Sequence, residues 1–144
     1  MDFETVSPQE FGASLRGVGL NLLVTNIADT VDFLVSVLDM SAHRVSKDFA
    51  IMTSGDQIIQ LHQDATYATH PLYDFLPENP PRGVGLIIHL FDVDPNRAAE
   101  KAASFGAHIL QAPMEKPHGL RECFIMCKDG YTWAASCPIQ NEDP

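Results

Sequence analysis

The chain has 144 residues, of which 45% are hydrophobic and 19% are charged, so it is typical of one folded domain and not of a disordered chain. Nine Lys and Arg residues against 19 Asp and Glu residues leave a net charge of −10, which repels nucleic-acid phosphates and predicts that nucleic acid is not a partner. No apolar run approaches the ~20 residues that span a bilayer, so no membrane partner is expected.

The cellular location is predicted from the N-terminus and the cysteines. The start, Met1-Asp2-Phe3-Glu4, has neither the basic nor the apolar region of a signal peptide. Three cysteines are an odd number, and Cys123 and Cys127 lack Cys-x-x-Cys spacing. We interpret Cys123, Cys127 and Cys137 as reduced structural thiols and expect a cytoplasmic protein.

The chain begins with an extension followed by a first structural unit. Residues 1–16 are polar and without a clear period, and we expect them to pack on the body as an N-terminal extension. The first unit, 17–62, opens with Gly-Val-Gly-Leu at 17–20 and continues as a predicted strand, Val18–Val24. Asn26 follows as a helix N-cap, with Asp29 in the first turn, where it favours the helix dipole.

The rest of the first unit is predicted as one helix and three strands. Val31, Leu34, Val35 and Leu38 follow the i, i+3, i+4, i+7 spacing of one apolar helix face. Strands are predicted at 42–46, 49–53 and 57–62, with Ser54-Gly55-Asp56 as a turn. Residues 63–82 contain four prolines and no period, and we interpret them as a functional or mobile linker.

The second unit, 83–138, repeats this order of elements. Gly-Val-Gly-Leu recurs at 83–86, 66 positions after its first copy. A strand is predicted at Leu86–Phe91, and Asp92 or Asp94 is the helix cap, followed by Pro95 in the first turn. The small helix face (Ala98, Ala99, Ala102, Ala103) ends at Gly106, and strands follow at 107–111, 121–127 and 131–137 around the turn Lys128-Asp129-Gly130.

Two copies of one unit in a short chain predict a duplicated fold. Each half reads as βαβββ, and neither half covers its own sheet. We therefore expect an α+β protein whose two tandem modules pair into one curved, mixed sheet, with helices outside and a cavity inside. Residues 139–144 are predicted as a polar tail, and the whole chain as one domain.

Short motifs in the two halves resemble a known superfamily. Val24-x-Asn26-Ile27 and Leu90-x-Asp92-Val93 resemble its V-x-D-L/V strand-to-helix motif, and Phe33 to Met40 resembles F-Y-x-x-x-L-G-F. Gly119-x-Arg121 through Asp129-Gly130-Tyr131-x-Trp133 resembles G-x-R…D-P-D-G-N-x-W. Over residues 17–138 the chain is thus similar to the vicinal-oxygen-chelate superfamily of glyoxalases, bleomycin-resistance proteins and extradiol dioxygenases, and is most similar to the metal-free, bleomycin-resistance-like branch.

The resemblance implies four metal-ligand positions, and these fall on unsuitable residues. They are Gly19, Gln60, Gly85 and Ala134. Glycine and alanine present no donor, and a glutamine carbonyl is a weak ligand for a divalent ion. We predict that the family's metal site is absent and that no cofactor is used. A relocated metal site built from His62, His89 and Glu122 is the alternative.

Strand alternation predicts which side chains line the cavity. We interpret His43 and His108 as strand-edge packing and Trp133 as core. Glu122, if buried, must meet Arg121, His62 or His118, or a ligand, because an unpaired buried carboxylate is costly. Phe49, Tyr67 and Tyr73 are further candidates for the apolar wall. The predicted ligand-binding residues are Asn21, Gln60, His62, Ile87, His89, Glu122, Phe124, Met126 and Thr132.

Two functions remain open at this stage. The first is a protein that binds a small organic molecule in a metal-free cavity, where the negative charge favours cationic or neutral ligands. The second is a glyoxalase-like lyase, isomerase or dioxygenase, with Glu122 or His62 as the candidate acid or base. The resemblance also implies a homodimer.

Overall fold

The computed structural model describes residues 1–140 and has the predicted α+β fold of two βαβββ modules. Residues 141–144 of the predicted polar tail lie outside the described residues. The helices are α1 (Pro8–Ser14), α2 (Ile27–Leu38) and α3 (Pro95–Ala102). The strands are β1 (Leu20–Val24), β2 (Ser41–His43), β3 (Phe49–Ser54), β4 (Gln57–Gln63), β5 (Gly83–Phe91), β6 (His108–Glu115), β7 (Leu120–Met126) and β8 (Tyr131–Pro138).

The two modules share one sheet topology. The strand orders are β1-β4-β3-β2 and β5-β8-β7-β6, and in each sheet the first pair is parallel and the other two pairs are antiparallel. The same order in both sheets confirms the two modules read from the repeat. The chain forms two compact units, one of residues 1–35 and 40–75 and the other of residues 36–39 and 76 onward.

Helix α2 begins as the sequence predicts but buries a different face. The Asn26 side chain accepts a hydrogen bond from the Asp29 backbone N–H at 2.9 Å, which confirms the N-cap. Leu34 and Leu38 are fully buried, whereas Val35 is 40% exposed, so the prediction for Val35 was wrong. The buried face instead includes Ile27, Phe33 and Val37.

Helix α3 confirms most of its predicted features. Of the two candidate caps, Asp94 is the cap: its carboxylate accepts from the Asn96 backbone N–H at 2.9 Å. Asp92 instead has a left-handed backbone, with φ of 62°. Gly106 ends the helical segment with φ of 67°, a conformation that favours glycine. Ala98 and Ala102 are fully buried, but Ala103 is exposed.

Several predicted boundaries move. The first strand begins at Leu20 and not at Val18, whose side chain is 92% exposed. Strand β2 ends at His43 and not at residue 46, and β6 runs to Glu115 where the prediction stopped at 111. The predicted linker 63–82 contains two short 3₁₀ helices, Asp64–Tyr67 and Pro71–Phe75, which its lack of periodicity concealed.

Helix α1 in the N-terminal extension was not predicted. The Ser7 hydroxyl accepts a hydrogen bond from the Glu10 backbone N–H at 3.1 Å, and Pro8 occupies the first helical position. Ser-Pro-x-Glu is the sequence signal that could have located it. Phe11 is buried from this helix, so the extension is an ordered part of the first module.

Candidate functional site

Six of the nine predicted ligand-binding residues share one face of the second sheet. The register aligns Ile87 with Thr132 and Met126, and places Phe124 beside Ala134, the partner of His89. Cross-strand partners point to the same side of a sheet, and every second residue of a strand joins them. We call this set the module-2 face: Ile87, His89, Phe91, Glu122, Phe124, Met126, Thr132, Ala134 and Ser136.

The opposite side of the same sheet is core. Trp133 and Ile125 are register partners and are both fully buried, as expected for Trp133. The Cys123 thiol donates a hydrogen bond to the carbonyl oxygen of Pro95, the first residue of α3, at 3.4 Å. Burial raises the pKa of this thiol to about 11, so it is an unreactive core group. At Trp133, Ile125 and Cys123, the side facing α3 is therefore packed core.

Aromatic rings and one cation gather on the module-2 face. The His89 ring stacks on Phe91, with centroids 5.3 Å apart and planes at 12°, and meets the edge of Phe124 at 6.2 Å. The Lys116 ammonium lies 5.7 Å from the centroid of Phe124, within the range of a cation–π contact. Phe91 is 59% exposed. This face therefore presents accessible aromatic surface.

Glu122 is a buried carboxylate on this face. It is 3% exposed, and its Oε1 lies 3.2 Å from His118 Nε2. Of the three protein partners predicted for it, His118 is the one observed. Arg121 turns away and donates two hydrogen bonds to Asn96 Oδ1, at 3.1 and 3.0 Å.

Buried hydroxyls adjoin the carboxylate. Ser136 is the register partner of Glu122 and is fully buried, and its Oγ has no hydrogen-bond partner within residues 1–140. Thr132 is also buried, four residues earlier on β8. Sequence reasoning missed Ser136, Phe91 and Lys116. The period-2 alternation of β5 and β8, continued by one step, was the signal for Phe91 and Ser136.

The other three predicted ligand-binding residues share one face of the first sheet. Asn21 pairs in register with Gln60, and His62 lies between Leu23 and Phe49. We call this set the module-1 face: Asn21, Leu23, Phe49, Ile51, Ile58, Gln60 and His62. A cavity of 460 Å³ lies beside Gln60, between the end of α1 and the β3–β4 turn.

The N-terminal segment, residues 1–16, covers much of the module-1 face. Val6 and Phe11 form one apolar cluster with Ile51, and four half-buried side chains pack against it. They are Phe3, Leu15, Phe49 and Ile58. The segment is also held at its backbone, since the Arg44 guanidinium donates to the carbonyl oxygens of Val6 and Phe3.

His62 is enclosed by rings on this face. Its centroid lies 5.3 Å from Phe49 and 5.4 Å from Tyr67, while Tyr67 also contacts His70 at 5.0 Å. Its Nε2 is buried and has no hydrogen-bond partner in the described part of the chain. Burial lowers the pKa of His62, because the apolar surroundings disfavour the charged imidazolium.

The strand register changes which residue of the first sheet corresponds to Ala134, one of the four metal positions that the family resemblance implies. His62 pairs with Leu23, and Ala134 pairs with His89, which is 66 positions after Leu23. His62, rather than Gln60, is thus the counterpart of Ala134 in the repeat. Gly19, Gly85 and Ala134 still carry no donor, so the residues present do not fit a divalent ion.

The relocated metal site is not formed either. Among residues 1–140, no three His, Cys, Asp or Glu side chains are grouped closely enough to hold a metal ion.

Within the described residues, no helix is long and apolar enough to cross a membrane.

The family is decided by a match over most of the chain. Residues 18–135 match the family model of the Glyoxalase/Bleomycin resistance protein/Dioxygenase superfamily. The chain belongs to this superfamily. A search of curated protein sequences finds no match.

Solved structures share the fold of this chain at low sequence identity. A glyoxalase/bleomycin resistance protein/dioxygenase family enzyme from Burkholderia phytofirmans PsJN aligns with a TM-score of 0.66 and 17% identity, over 83% of this chain and 96% of that one. The fosfomycin resistance protein FosX from Mesorhizobium loti gives 0.61 and 15%, over 87% and 94%. Hypothetical protein SA1046 from S. aureus gives 0.67 and 15%, over 89% and 98%.

Proposed function

We propose that this superfamily member binds a small organic molecule on the module-2 face, without a metal. The observation that carries the proposal is the accessible ring set of His89, Phe91 and Phe124 beside the buried carboxylate of Glu122. Ligand sites combine apolar and aromatic walls with a few polar groups that orient the ligand. Three of the four metal positions that the family resemblance implies, Gly19, Gly85 and Ala134, have no side-chain donor, which supports a metal-free mode.

The proposed site is confined to the second module. The module-1 face has its own polar groups in Gln60 and His62, but Phe11 and Val6 of the N-terminal segment pack on Ile51 at its centre. The apolar surface that a ligand needs is therefore already buried by the chain itself. We expect one ligand per chain.

A neutral aromatic probe tests this function. In an NMR titration with 2-naphthol, we expect one saturable site with chemical-shift changes centred on β5, β7 and β8. Phe124→Ala should raise the Kd at least tenfold, because it removes the central ring. Phe75→Ala is the matched control, since Phe75 is 83% exposed and belongs to a 3₁₀ helix of the other compact unit. Equal loss in both variants, or no saturable binding, contradicts the proposal.

The Glu122–His118 hydrogen bond supports a second candidate, metal-free acid–base catalysis. A buried carboxylate next to an imidazole is a plausible proton-transfer pair for a glyoxalase-like lyase or isomerase. His62, the other candidate base, is enclosed by Phe49 and Tyr67 in the first module. Mass spectrometry of a molecule recovered after binding separates the candidates: binding returns it unchanged, whereas catalysis yields a product that Glu122→Gln abolishes.

We also propose that the protein is a cytoplasmic homodimer, as the family resemblance and the unpaired cysteines suggest. Size-exclusion chromatography with light scattering checks the dimer. The expected mass is twice the 15.8 kDa of one chain. A mass equal to one chain at micromolar concentration contradicts it.

A further inference from the structure

We propose that the module-2 face recognises a primary ammonium group attached to an aromatic or apolar body, with Glu122 and Ser136 as the recognising residues. This inference rests on the proposed function and names the ligand class for the same site.

The first argument is an incomplete set of hydrogen bonds at the buried carboxylate. Glu122 is 3% exposed, yet its single hydrogen bond within residues 1–140 is the one from Oε1 to His118. Oε2 has no hydrogen bond to the described residues and is not one of their buried unpartnered atoms, so it retains contact with solvent. It is thus available to accept a further bond.

The second argument is an orphaned hydroxyl at the same point. Ser136 lies directly across from Glu122 in the β7–β8 register, so their Cβ atoms are about 5 Å apart. Its Oγ is fully buried and has no partner in the described chain. A carboxylate oxygen and a hydroxyl side by side are two acceptors, and an ammonium group, with three N–H donors, satisfies both.

The third argument is what the chain itself places on this surface. The turn between β6 and β7, residues 116–119, directs Lys116 onto the Phe124 ring and His118 onto Glu122. The Lys116 ammonium shows directly that the ring face accepts a cation. His118 is 57% exposed at its side chain, so it can swing into solvent when a stronger donor arrives. The net charge of −10 further attracts cations.

The spacing of the two subsites sets the shape of the ligand. Glu122 and Phe124 are two residues apart on one strand, which separates their positions by about 6.6 Å. An ammonium group on a short alkyl linker from an aromatic ring spans this separation. Arylalkyl ammonium compounds are therefore the class that the face fits.

The test uses three probes of equal size that differ in charge. Benzylammonium, benzyl alcohol and benzoate are titrated separately into the full chain at pH 7 and followed by NMR. We expect benzylammonium to bind at least tenfold more tightly than benzyl alcohol, and benzoate not to bind. Equal affinities for benzylammonium and benzyl alcohol overturn the inference, as does saturable binding of benzoate.

Three variants assign the recognition to named residues. Glu122→Gln should bring benzylammonium to within about twofold of benzyl alcohol, and Ser136→Ala should weaken benzylammonium alone by about threefold. The second variant keeps the inference testable if the first fails to fold. His118→Ala should tighten benzylammonium binding at least twofold, because the competing donor is gone. If His118→Ala weakens the binding of benzylammonium, the ammonium group does not displace His118 from Glu122.

Glu115, a carboxylate on the opposite face of the second sheet, is the matched control for Glu122. Glu115 neighbours Met114, the residue that pairs with Glu122, and therefore points to the opposite side of the sheet. Glu115→Gln makes the same change in net charge and should leave all three affinities unchanged. If it weakens benzylammonium as much as Glu122→Gln does, the attraction is the overall charge and not the site.

Failure of this inference differs from failure of the proposed function. If 2-naphthol binds with the expected dependence on Phe124 but benzylammonium has no advantage over benzyl alcohol, the face binds aromatic molecules without recognising ammonium. If neither 2-naphthol nor benzylammonium binds, both proposals are wrong.

Discussion

The two modules have the same strand order but present different faces. The module-1 face is packed under the N-terminal segment, with Phe11 8% exposed and Ile51 fully buried. The module-2 face carries Phe91 at 59% exposure, an exposed His89 ring and a half-buried Phe124 ring. Duplication thus provides two similar surfaces, and a 16-residue extension suffices to bury much of one of them while the rings of the other remain accessible.

The largest effect should come from a matched pair of Phe→Ala substitutions. Phe11→Ala is expected to lower the free energy of unfolding by about 3 kcal/mol, because it leaves a cavity against Ile51. Phe91→Ala should change it by less than about 0.5 kcal/mol, because Phe91 is largely exposed. Urea unfolding of both variants measures the difference. Similar losses would show that the two faces are equally packed.

Removing the hydrogen bonds from Arg44 to the N-terminal segment should have the next largest effect on the free energy of unfolding. Arg44→Met keeps most of the apolar side chain but removes the donors to the Val6 and Phe3 carbonyl oxygens. A cost of about 1.5 kcal/mol is expected for hydrogen bonds from a charged group. Hydrogen exchange should also accelerate in residues 3–15.

Arg16→Met is the control for this substitution. Arg16 also donates to backbone carbonyl oxygens, those of Ala13 and Leu15, but at the exposed end of α1. It should cost less than about 0.5 kcal/mol. Equal costs in the two variants would mean that Arg44 does not anchor the segment.

A smaller effect is expected in the pH dependence of stability. Because burial lowers the pKa of His62 in the folded state, the unfolded chain takes up a proton first as the pH falls below about 6.5. Stability is therefore complete above pH 6.5 and declines below it, until the folded-state pKa is reached. The slope from this one group is at most about 1.4 kcal/mol per pH unit.

His62→Gln should remove this contribution to the slope, because it replaces the titrating imidazole with a neutral amide. Urea titrations at pH 7.5 and 5.5 give the comparison. An unchanged slope in His62→Gln would contradict the buried, neutral state of this imidazole.

The smallest effect is on chemical reactivity and contrasts two thiols of different burial on the α3 side of the second sheet. Cys123 is fully buried with a pKa of about 11, whereas Cys137 is partly exposed. At pH 8, iodoacetamide should label Cys137 in the folded protein and Cys123 only after unfolding. Peptide mass spectrometry reads both sites. Equal labelling rates would show that the α3 side of the sheet opens readily.

Much of the fold was accessible from the sequence because local signals and the repeat agreed. Asn26, Pro95 and Gly106 mark the beginnings and ends of helices. Their effects involve only residues a few positions away in the sequence, and each has its predicted role. Val35 and Ala103 failed because periodicity alone does not say how wide the buried stripe is. Helix α1 was missed because seven residues are too few to show a period.

The candidate site, like the fold, could be predicted from the sequence only in part. Alternation along a strand is a local property, so Glu122, Phe124 and Met126 could be assigned to one face from the sequence. The choice of His118 over Arg121 as the partner of Glu122 depends on how the turn at 116–119 folds back. The spacing of residues along the chain does not predict how this turn folds back on the sheet.

The sequence by itself determined the duplication, the βαβββ order and the caps. These follow from residue type and spacing, which act over short distances along the chain. Only the tertiary structure decided that Phe11 and Val6 bury the centre of the module-1 face and that the Ser136 hydroxyl beside Glu122 has no hydrogen-bond partner within residues 1–140. Both depend on contacts between residues 14 to 45 positions apart in sequence, whose formation is set by packing in three dimensions.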